Sequence, residues 1–263
     1  MTRHRLALAL LLLGYAFLYL PIALMIGYSF NASRLVTVWA GFSTRWYGEL
    51  LRNERMIEAA WLTLRIAAAA ATLGCLVGTL GGFALARFGR FRGRLLLVGM
   101  LSAPLVLPDV ISGLSLLMLF VGLEQALGWP ERGALTIVIA HATLGAAYVA
   151  VIVQARLAGF DHRLEEAALD LGARPTTVFL RITLPLIAPS LVAGWLLAFT
   201  LSMDDLVIAS FVSGPGSTTL PMLVFASVRL GVSPQINALA TILVAVVAAG
   251  MLGAALMLRA RGR

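Results

Sequence analysis

The chain is 263 residues long, 60% of its residues are hydrophobic, and only 12% carry a charge. Because about a quarter of the residues in an average soluble domain are charged, this composition excludes an ordinary soluble protein and predicts an all-α membrane protein. The net charge of +8 comes from arginines that are dispersed along the chain. Such dispersion is a signal of membrane topology, not the clustered basic surface of a nucleic-acid-binding protein. We therefore expect the lipid bilayer as a partner, and no nucleic acid.

Two residue types are scarce enough to exclude whole classes of chemistry. All 20 basic residues are arginine, and the phosphate-binding P-loop of ATPases requires a lysine. The single cysteine, Cys75, has no partner for a disulfide or for a cysteine-ligated metal. The histidines, at positions 4, 141 and 162, are scattered along the sequence and form no pair at metal-ligand spacing. We expect no catalytic residue, metal or cofactor in this chain; if ATP drives its action, ATP and Mg must be bound by a separate ATPase subunit.

Six segments are apolar enough to cross a bilayer, which requires about 20 residues. In chain order they cover residues 6–30, 57–86, 95–122, 133–157, 182–211 and 236–258. The first is longer than the apolar core of a secretory signal and has no clean cleavage site, so we expect it to be retained. The predicted organisation is a first helix with its outer loop over 1–56, a five-helix transmembrane domain over 57–258 and a tail over 259–263.

The arginines are distributed unequally between the two sides of these spans. If the N-terminus is inside, thirteen fall on that side and six on the other, and Arg65 lies within the second span. Since cytoplasmic loops are enriched in Lys and Arg, we expect both termini to face the cytoplasm.

The outer loop after the first span is rich in aromatic residues, among them Trp39, Trp46 and Tyr47. Trp and Tyr prefer the membrane–water interface, so these residues are predicted to anchor a short helix on the outer surface. The alternative is an entrance lined by aromatic faces, which attract cations, and Trp46 is the candidate for that role.

The third and fifth spans are predicted to be irregular. Pro104 and Pro108 interrupt the third, and the Ser-Gly-Pro-Gly sequence at 213–216 ends the fifth. Broken helices at membrane depth occur where the freed backbone is buried in protein or lines a cavity. These two places therefore indicate a translocation path.

Three carboxylates lie inside apolar spans: Asp109, Asp204 and Asp205. Intramembrane carboxylates are costly and usually face water or the bundle interior. At about 1.5 Å per residue, Asp109 lies roughly 20 Å from Leu95 and Asp204 roughly 33 Å from Ile182, which places both in the outer half. Asp204 and Asp205 point in different directions, which leaves a structural role open for one of them, and Asp109 after Pro108 is also a candidate N-cap. Carboxylates that converge on a path select cations, and a small organic cation with separated amines fits them.

A polar segment at 161–185 separates the fourth and fifth spans. Asp161 is a good helix N-cap, and an apolar stripe follows at positions 164, 167, 168 and 171. Gly172 then ends the helix, and Pro175 suits the first turn of a second one. Glu166 and Asp170 place two like charges on one exposed face, which favours a basic partner. The sequence thus predicts a bent pair of helices that lies against the membrane face and binds a partner protein.

This segment resembles the EAA loop of the permeases of ATP-binding-cassette importers, in which Glu-Ala-Ala, a glycine and Ile-x-Leu-Pro contact the cytoplasmic ATPase. The matching positions are Glu166, Ala167, Ala168, Gly172, Ile182, Leu184 and Pro185. The resemblance implies a type I importer transmembrane domain (MetI-like) with six transmembrane helices and a cytoplasmic coupling helix. Contact with the ATPase is then expected at Glu166, Ala167, Ala168, Asp170, Gly172 and Pro185.

Segments along nearly the whole chain are also similar to the permeases that import putrescine and spermidine, above all to the putrescine type. They lie at 28–31, 35–39, 44–47, 87–93, 103–105, 107–110, 202–208 and 231–234. The resemblance implies a permease subunit in a bacterial inner membrane, forming half of the translocation path for polyamines, most of all putrescine. Its implied partners are a second related permease, two ATP-binding subunits and a periplasmic polyamine-binding protein. The candidate residues of the substrate path are Asp109, Asp204, Asp205, Ser202 and Trp46.

Three alternatives remain open at the level of sequence. The same machinery could import another solute, such as an amino acid, thiamine or ferric ion. An ion-driven secondary transporter would need no docking segment for an ATPase. An intramembrane aspartyl protease would need two aspartates that share a proton, but the Gly-x-Gly-Asp context of such enzymes is absent.

Overall fold

A computed structural model describes residues 2–35, 38–159, 161, 163–230 and 234–261. Parts of two of the quoted segments, at 36–37 and 231–233, lie outside these residues, as do His162 and the last two residues of the tail.

Regular structure in the described part of the chain is helical, and one isolated β-bridge joins Asn31 to Phe42. The helices are α1 (Thr2–Ser29), α2 (Arg45–Leu51), α3 (Glu54–Arg87), α4 (Arg94–Val106), α5 (Asp109–Leu127), α6 (Ala134–Ala158), α7 (Arg163–Asp170), α8 (Pro175–Val178), α9 (Leu184–Asp204), α10 (Val207–Val212), α11 (Leu220–Leu230) and α12 (Pro234–Arg261). A π-helical turn, Phe179–Thr183, joins α8 to α9.

Among the described residues, five helical segments are long and apolar enough to cross a membrane. They are Leu6–Ser29, Glu54–Arg87, Asp109–Leu127, Ala134–Ala158 and Pro175–Asp204, the last of which joins α8, the π-helical turn and α9. Helix α12 occupies the position of the sixth predicted span. The predicted all-α membrane fold is confirmed.

The third predicted span, 95–122, is interrupted at Pro108, as predicted, but its limits are wrong, because the helix of membrane-spanning length there is Asp109–Leu127. Helix α4 ends at Val106, Leu107 is extended with φ −76° and ψ 138°, and α5 begins at Asp109. The cause is Pro108, because a proline disfavours helical backbone at the residue before it. Pro104, by contrast, lies inside α4 and does not end it. The distance of roughly 20 Å expected between Leu95 and Asp109 assumed one continuous helix. Because the helix is broken between them, the structure does not support that depth for Asp109.

The fifth predicted span, 182–211, is also wrong in its limits. The span runs over Pro175–Asp204, Asp205 is extended with φ −66° and ψ 126°, and α10 begins separately at Val207. The Ser-Gly-Pro-Gly sequence therefore ends the short helix α10 and not the span. The break lies at Asp205 and Leu206, where the sequence pattern offers no glycine or proline.

The described chain divides into two compact units, and Glu58–Leu223 form the larger one. Helix α6 is its centre, with Val149, Val153 and Leu157 fully buried, and it packs against α4, α5, α9 and α10. Helix α3 approaches α6 closely, because Gly74 and Gly78 face the backbone at Ala142 and Ala146. Small residues permit such close helix packing in membranes.

The smaller unit consists of Met1–Ile57 and Val224–Arg263. In it, α12 packs against α1 and α2, and Trp46 and Leu50 of α2 are buried. The predicted division into 1–56, 57–258 and 259–263 stays a prediction; the structure groups the residues from Val224 onward with the N-terminal ones.

Candidate functional site

The polar segment at 161–185 folds as the bent helix pair that the sequence predicts. The Asp161 carboxylate accepts a hydrogen bond from the Arg163 N–H at 3.1 Å, just before α7. After α7 the backbone of Gly172 turns to φ +83°. The Gly172 N–H donates to the Leu169 carbonyl at 2.9 Å and the Ala173 N–H to the Ala168 carbonyl at 3.0 Å, which is the bonding of a Schellman cap. Pro175 then opens α8.

The apolar stripe of α7 points away from its own chain. The side chains of Leu164 and Leu171 are 52% and 89% exposed, and Leu169 beside them is 45% exposed. The predicted docking residues Glu166 and Asp170 are exposed as well. We define the coupling surface as this exposed face of α7 together with Leu171 and Gly172. An exposed apolar patch ringed by charge is typical of a protein interaction site.

Glu165, which sequence reasoning missed, faces the opposite way. Its Oε2 lies 3.0 Å from Nε of Arg87, and the exposed fractions of the two side chains are 14% and 10%. Its Oε1 accepts a hydrogen bond from the Thr183 hydroxyl at 2.6 Å. This carboxylate therefore joins α7 to the end of α3 and to the π-helical turn. The only signal in the sequence was a second glutamate before the motif glutamate.

Asp109 lies in a cleft of about 230 Å³ between α4, α5, α6 and α10. Asp109 is the first residue of α5 and is exposed; the N-cap position is taken by Pro108. The cleft walls are mostly apolar, and its lining residues are Met100, Ala103, Pro104, Leu107, Asp109, Ser112, Ser115, Leu116, Ala140, Thr143, Leu144 and Ile208. A carboxylate above an apolar wall can hold the amine and the methylene chain of an alkylammonium ion.

Asp204 and Asp205 have opposite surroundings. Asp204, the last residue of α9, is exposed. Asp205 is half-buried, and its carboxylate accepts hydrogen bonds from the backbone N–H groups of Ile208 at 3.3 Å and Ala209 at 2.7 Å. Asp205 thus caps α10, whereas Asp204 is left for water or solute.

A buried histidine, His141 on α6, connects Asp205 to Ser202. Its Nε2 lies 3.1 Å from Oδ2 of Asp205 and its Nδ1 lies 2.6 Å from Oγ of Ser202. One neutral tautomer satisfies all three groups: Nε2–H donates to the carboxylate, and the Ser202 hydroxyl donates to Nδ1. Ser202 is itself buried, with 5% exposed. The network fixes the break after α9 against α6, and sequence reasoning had set His141 aside as an isolated histidine.

Trp46 lies in the smaller unit and is 3% exposed. Its indole N–H donates to the Asn31 carbonyl at 2.6 Å, and the Arg45 guanidinium lies over its ring at 4.1 Å. The Asn31 side-chain oxygen in turn accepts the N–H groups of Ser33 and Ala40. Trp46 is therefore placed as a packing residue that holds the outer loop, while Trp39 and Phe42 are exposed there, at 54% and 73%.

No group of three or more His, Cys, Asp or Glu side chains that could hold a metal ion occurs within the residues that the structure covers. The described residues thus place an exposed carboxylate in an apolar cleft, a second one at the end of a span, and the coupling surface beside Gly172.

Comparison by sequence gives a family and a set of relatives. Residues 78–261 match the family described as binding-protein-dependent transport system inner membrane component. The chain is 61% identical over 241 residues to the putrescine transport system permease protein PotI of Escherichia coli K12, covering 91% of this chain and 86% of that protein. It is 46% identical over 230 residues to the spermidine/putrescine transport system permease protein PotC of the same organism, covering 87% and 84%.

Comparison by structure gives the same fold at low sequence identity. A chain of a bacterial ABC transporter that imports the acidic polysaccharide alginate superposes with a TM-score of 0.73 at 16% identity, covering 97% of this chain and 95% of that one. A chain of the MetNI methionine ABC transporter, in inward-facing conformations, superposes with a TM-score of 0.61 at 18% identity, covering 78% and 95%. The fold is that of an ABC importer transmembrane subunit, as predicted.

Proposed function

The chain belongs to the family of binding-protein-dependent transport system inner membrane components, and we propose that it is the permease subunit of an ATP-driven importer of polyamines, most of all putrescine. The observation that supports putrescine as the substrate is the 61% identity to the putrescine permease PotI across 91% of this chain. The subunit supplies half of the translocation path. It is not an enzyme, because ATP hydrolysis resides in a separate subunit.

The proposed complex contains a second related permease, two ATP-binding subunits and a periplasmic polyamine-binding protein. The coupling surface supports the ATPase contact, since Leu171 and Leu164 are exposed beside Glu166 and Asp170. ATP and Mg are bound by the ATPase and not by this chain. Both termini and the coupling surface lie on the cytoplasmic side, as the arginine distribution predicts.

The proposed path uses the two exposed aspartates for direct contact with the cation. Asp109 lines the cleft between α4 and α6, and Asp204 ends the span that begins at Pro175. Asp205 and Ser202 support the path indirectly, because both are bonded to His141. Trp46 contributes by holding the outer loop in place. A diamine with an alkyl spacer suits an apolar cleft that carries a carboxylate.

Uptake of radiolabelled putrescine tests the substrate. The complex is reconstituted in liposomes with its binding protein, and uptake is measured with and without an excess of unlabelled spermidine. We expect ATP-dependent uptake that spermidine reduces. Uptake of an amino acid, thiamine or ferric ion, with none of putrescine, would contradict the polyamine assignment while leaving the importer mechanism intact.

Substitution of Gly172 tests the contact with the ATPase. Its φ of +83° is strained for a β-branched residue, whereas Asn adopts this region more readily. We expect Gly172→Val to lose co-purification with the ATPase while the chain still inserts, and Gly172→Asn to retain most of it. Equal co-purification of the two variants with wild type would count against a coupling role for this turn.

A further inference from the structure

The coupling helix α7 carries two adjacent glutamates that face different partners. Successive residues on a helix are separated by about 100°, so Glu165 and Glu166 cannot share an environment. Glu166 is exposed on the coupling surface. The Glu165 side chain is only 14% exposed and points towards the membrane helices of its own chain.

The Glu165 carboxylate uses both of its oxygens. Oε2 lies 3.0 Å from the guanidinium Nε of Arg87, the last residue of α3. Oε1 accepts the hydroxyl of Thr183, which is 1% exposed and ends the π-helical turn before α9. Arg87 also donates to the Leu157 carbonyl near the end of α6, at 3.5 Å. One side chain therefore meets the ends of two spans, and through Arg87 it reaches a third.

This polar connection is the main side-chain attachment of α7. The described residues show no other side-chain hydrogen bond or ion pair between α7 and the spans. A helix of eight residues is too short to be stable by itself. Its position relative to the spans is then held by the backbone at its ends, by packing against α8 and the π-helical turn, and by the bonds of Glu165.

Burial makes the connection stiff. Removing one partner from a buried ion pair leaves an uncompensated charge, so the pair resists separation when α7 is displaced. The π-helical turn is a second sign of a special junction, because such turns are frequent at functional sites. Thr183 places this turn in direct contact with the coupling helix.

Resting on the proposed function, we propose that Glu165 is the positioning residue that transmits displacement of the coupling helix to α3 and to the span that contains α9. The displacement reaches these helices through the two residues that Glu165 contacts, Arg87 and Thr183. Glu166 contacts the ATPase, and Glu165 transmits the resulting displacement of α7 to the membrane helices. Loss of Glu165 uncouples the complex: ATPase binding and hydrolysis continue, but the membrane helices follow less often.

The experiment measures coupling directly in a reconstituted complex with partner permease, ATPase and binding protein. ATP hydrolysed and labelled putrescine imported are recorded together for wild type, Glu165→Gln, Arg87→Gln and the exchanged pair Arg87→Glu with Glu165→Arg. We expect each single variant to keep the ATPase and its hydrolysis while putrescine imported per ATP falls roughly tenfold. The exchanged pair regains part of this loss.

Two further variants of the same chain serve as controls for the substitutions of Glu165 and Arg87. Arg90→Gln, an exposed arginine in the loop after α3, is expected to transport as wild type. Thr183→Val keeps the ion pair and is expected to give a smaller loss, which preserves the test if Glu165→Gln folds poorly. Wild-type import per ATP in both Glu165→Gln and Thr183→Val would overturn the inference, as would loss of ATPase binding in proportion to loss of transport. Failure of the proposed function would show differently, as absence of putrescine import by the wild-type complex.

Discussion

At the scale of single residues, the chain places two pairs of adjacent carboxylates in contrasting environments. Glu165 and Asp205 turn inward and are fully bonded, whereas Glu166 and Asp204 are exposed. Sequence geometry requires only that adjacent side chains point in different directions. Which member of a pair turns inward depends on distant partners, Arg87 for one pair and His141 for the other.

Asparagine substitutions distinguish the two aspartates after α9. Asp204→Asn removes the charge of an exposed side chain, so we expect unchanged stability and uptake lower by about tenfold, equivalent to about 1.4 kcal/mol. Asp205→Asn places an amide N–H₂ among donors from His141, Ile208 and Ala209. We expect this variant to lose about 1–3 kcal/mol of folding stability.

The measurement is thermal unfolding of the purified chain in detergent, together with uptake per inserted molecule. Thr200→Val serves as a control on the same helix, since Thr200 is exposed and bonds only its own helix, through the Leu196 carbonyl. An equal loss of stability in Asp204→Asn and Asp205→Asn would refute the division of roles.

At the scale of helices, the close approach of α3 to α6 depends on glycine. A Cβ at Gly78 would lie 2.5 Å from the Ala146 carbonyl oxygen and 2.8 Å from Cβ of Val149. We expect Gly78→Ala to destabilise the larger unit by about 1–3 kcal/mol, because packed cores do not accept extra atoms without shifts. Gly99→Ala on α4, where no atom lies within 4 Å, is the matched control.

Thermal unfolding of both variants checks this expectation. We expect Gly99→Ala to unfold at or slightly above the wild-type temperature, since Ala favours helix more than Gly does. A Gly78→Ala variant as stable as Gly99→Ala would mean that the two helices are packed less closely than the structure shows.

Hydropathy was sufficient to predict the all-α class and the approximate limits of four spans, because apolar length decides them. The two breaks differ, because the interruption predicted at Pro108 is confirmed, whereas the break at Asp205 was not predicted. At Leu107 the signal was present in Pro108, but Pro104 gave the same signal and ends no helix. At Asp205 no local signal exists, because the break is held by His141, which is 64 residues away in the chain. The helix pair at 161–185 was predictable in detail, since Asp161, Gly172 and Pro175 act locally.

At the scale of the whole molecule, the proposed function requires the coupling surface to face the cytoplasm and to be covered by an ATPase. The chain has one cysteine, Cys75, so a Cys75→Ser background has none. Leu171, which is 89% exposed on the coupling surface, and Leu35, which is 65% exposed on the predicted outer loop, are then replaced singly by cysteine. A membrane-impermeant thiol reagent reports which side each residue occupies.

The most direct test is this labelling in intact spheroplasts and in inside-out vesicles, with and without bound ATPase. We predict that Leu171→Cys is labelled only in inside-out vesicles and is protected when the ATPase is bound, whereas Leu35→Cys is labelled only in spheroplasts. Labelling of Leu171→Cys from outside, or labelling in inside-out vesicles that the ATPase does not reduce, would contradict the account.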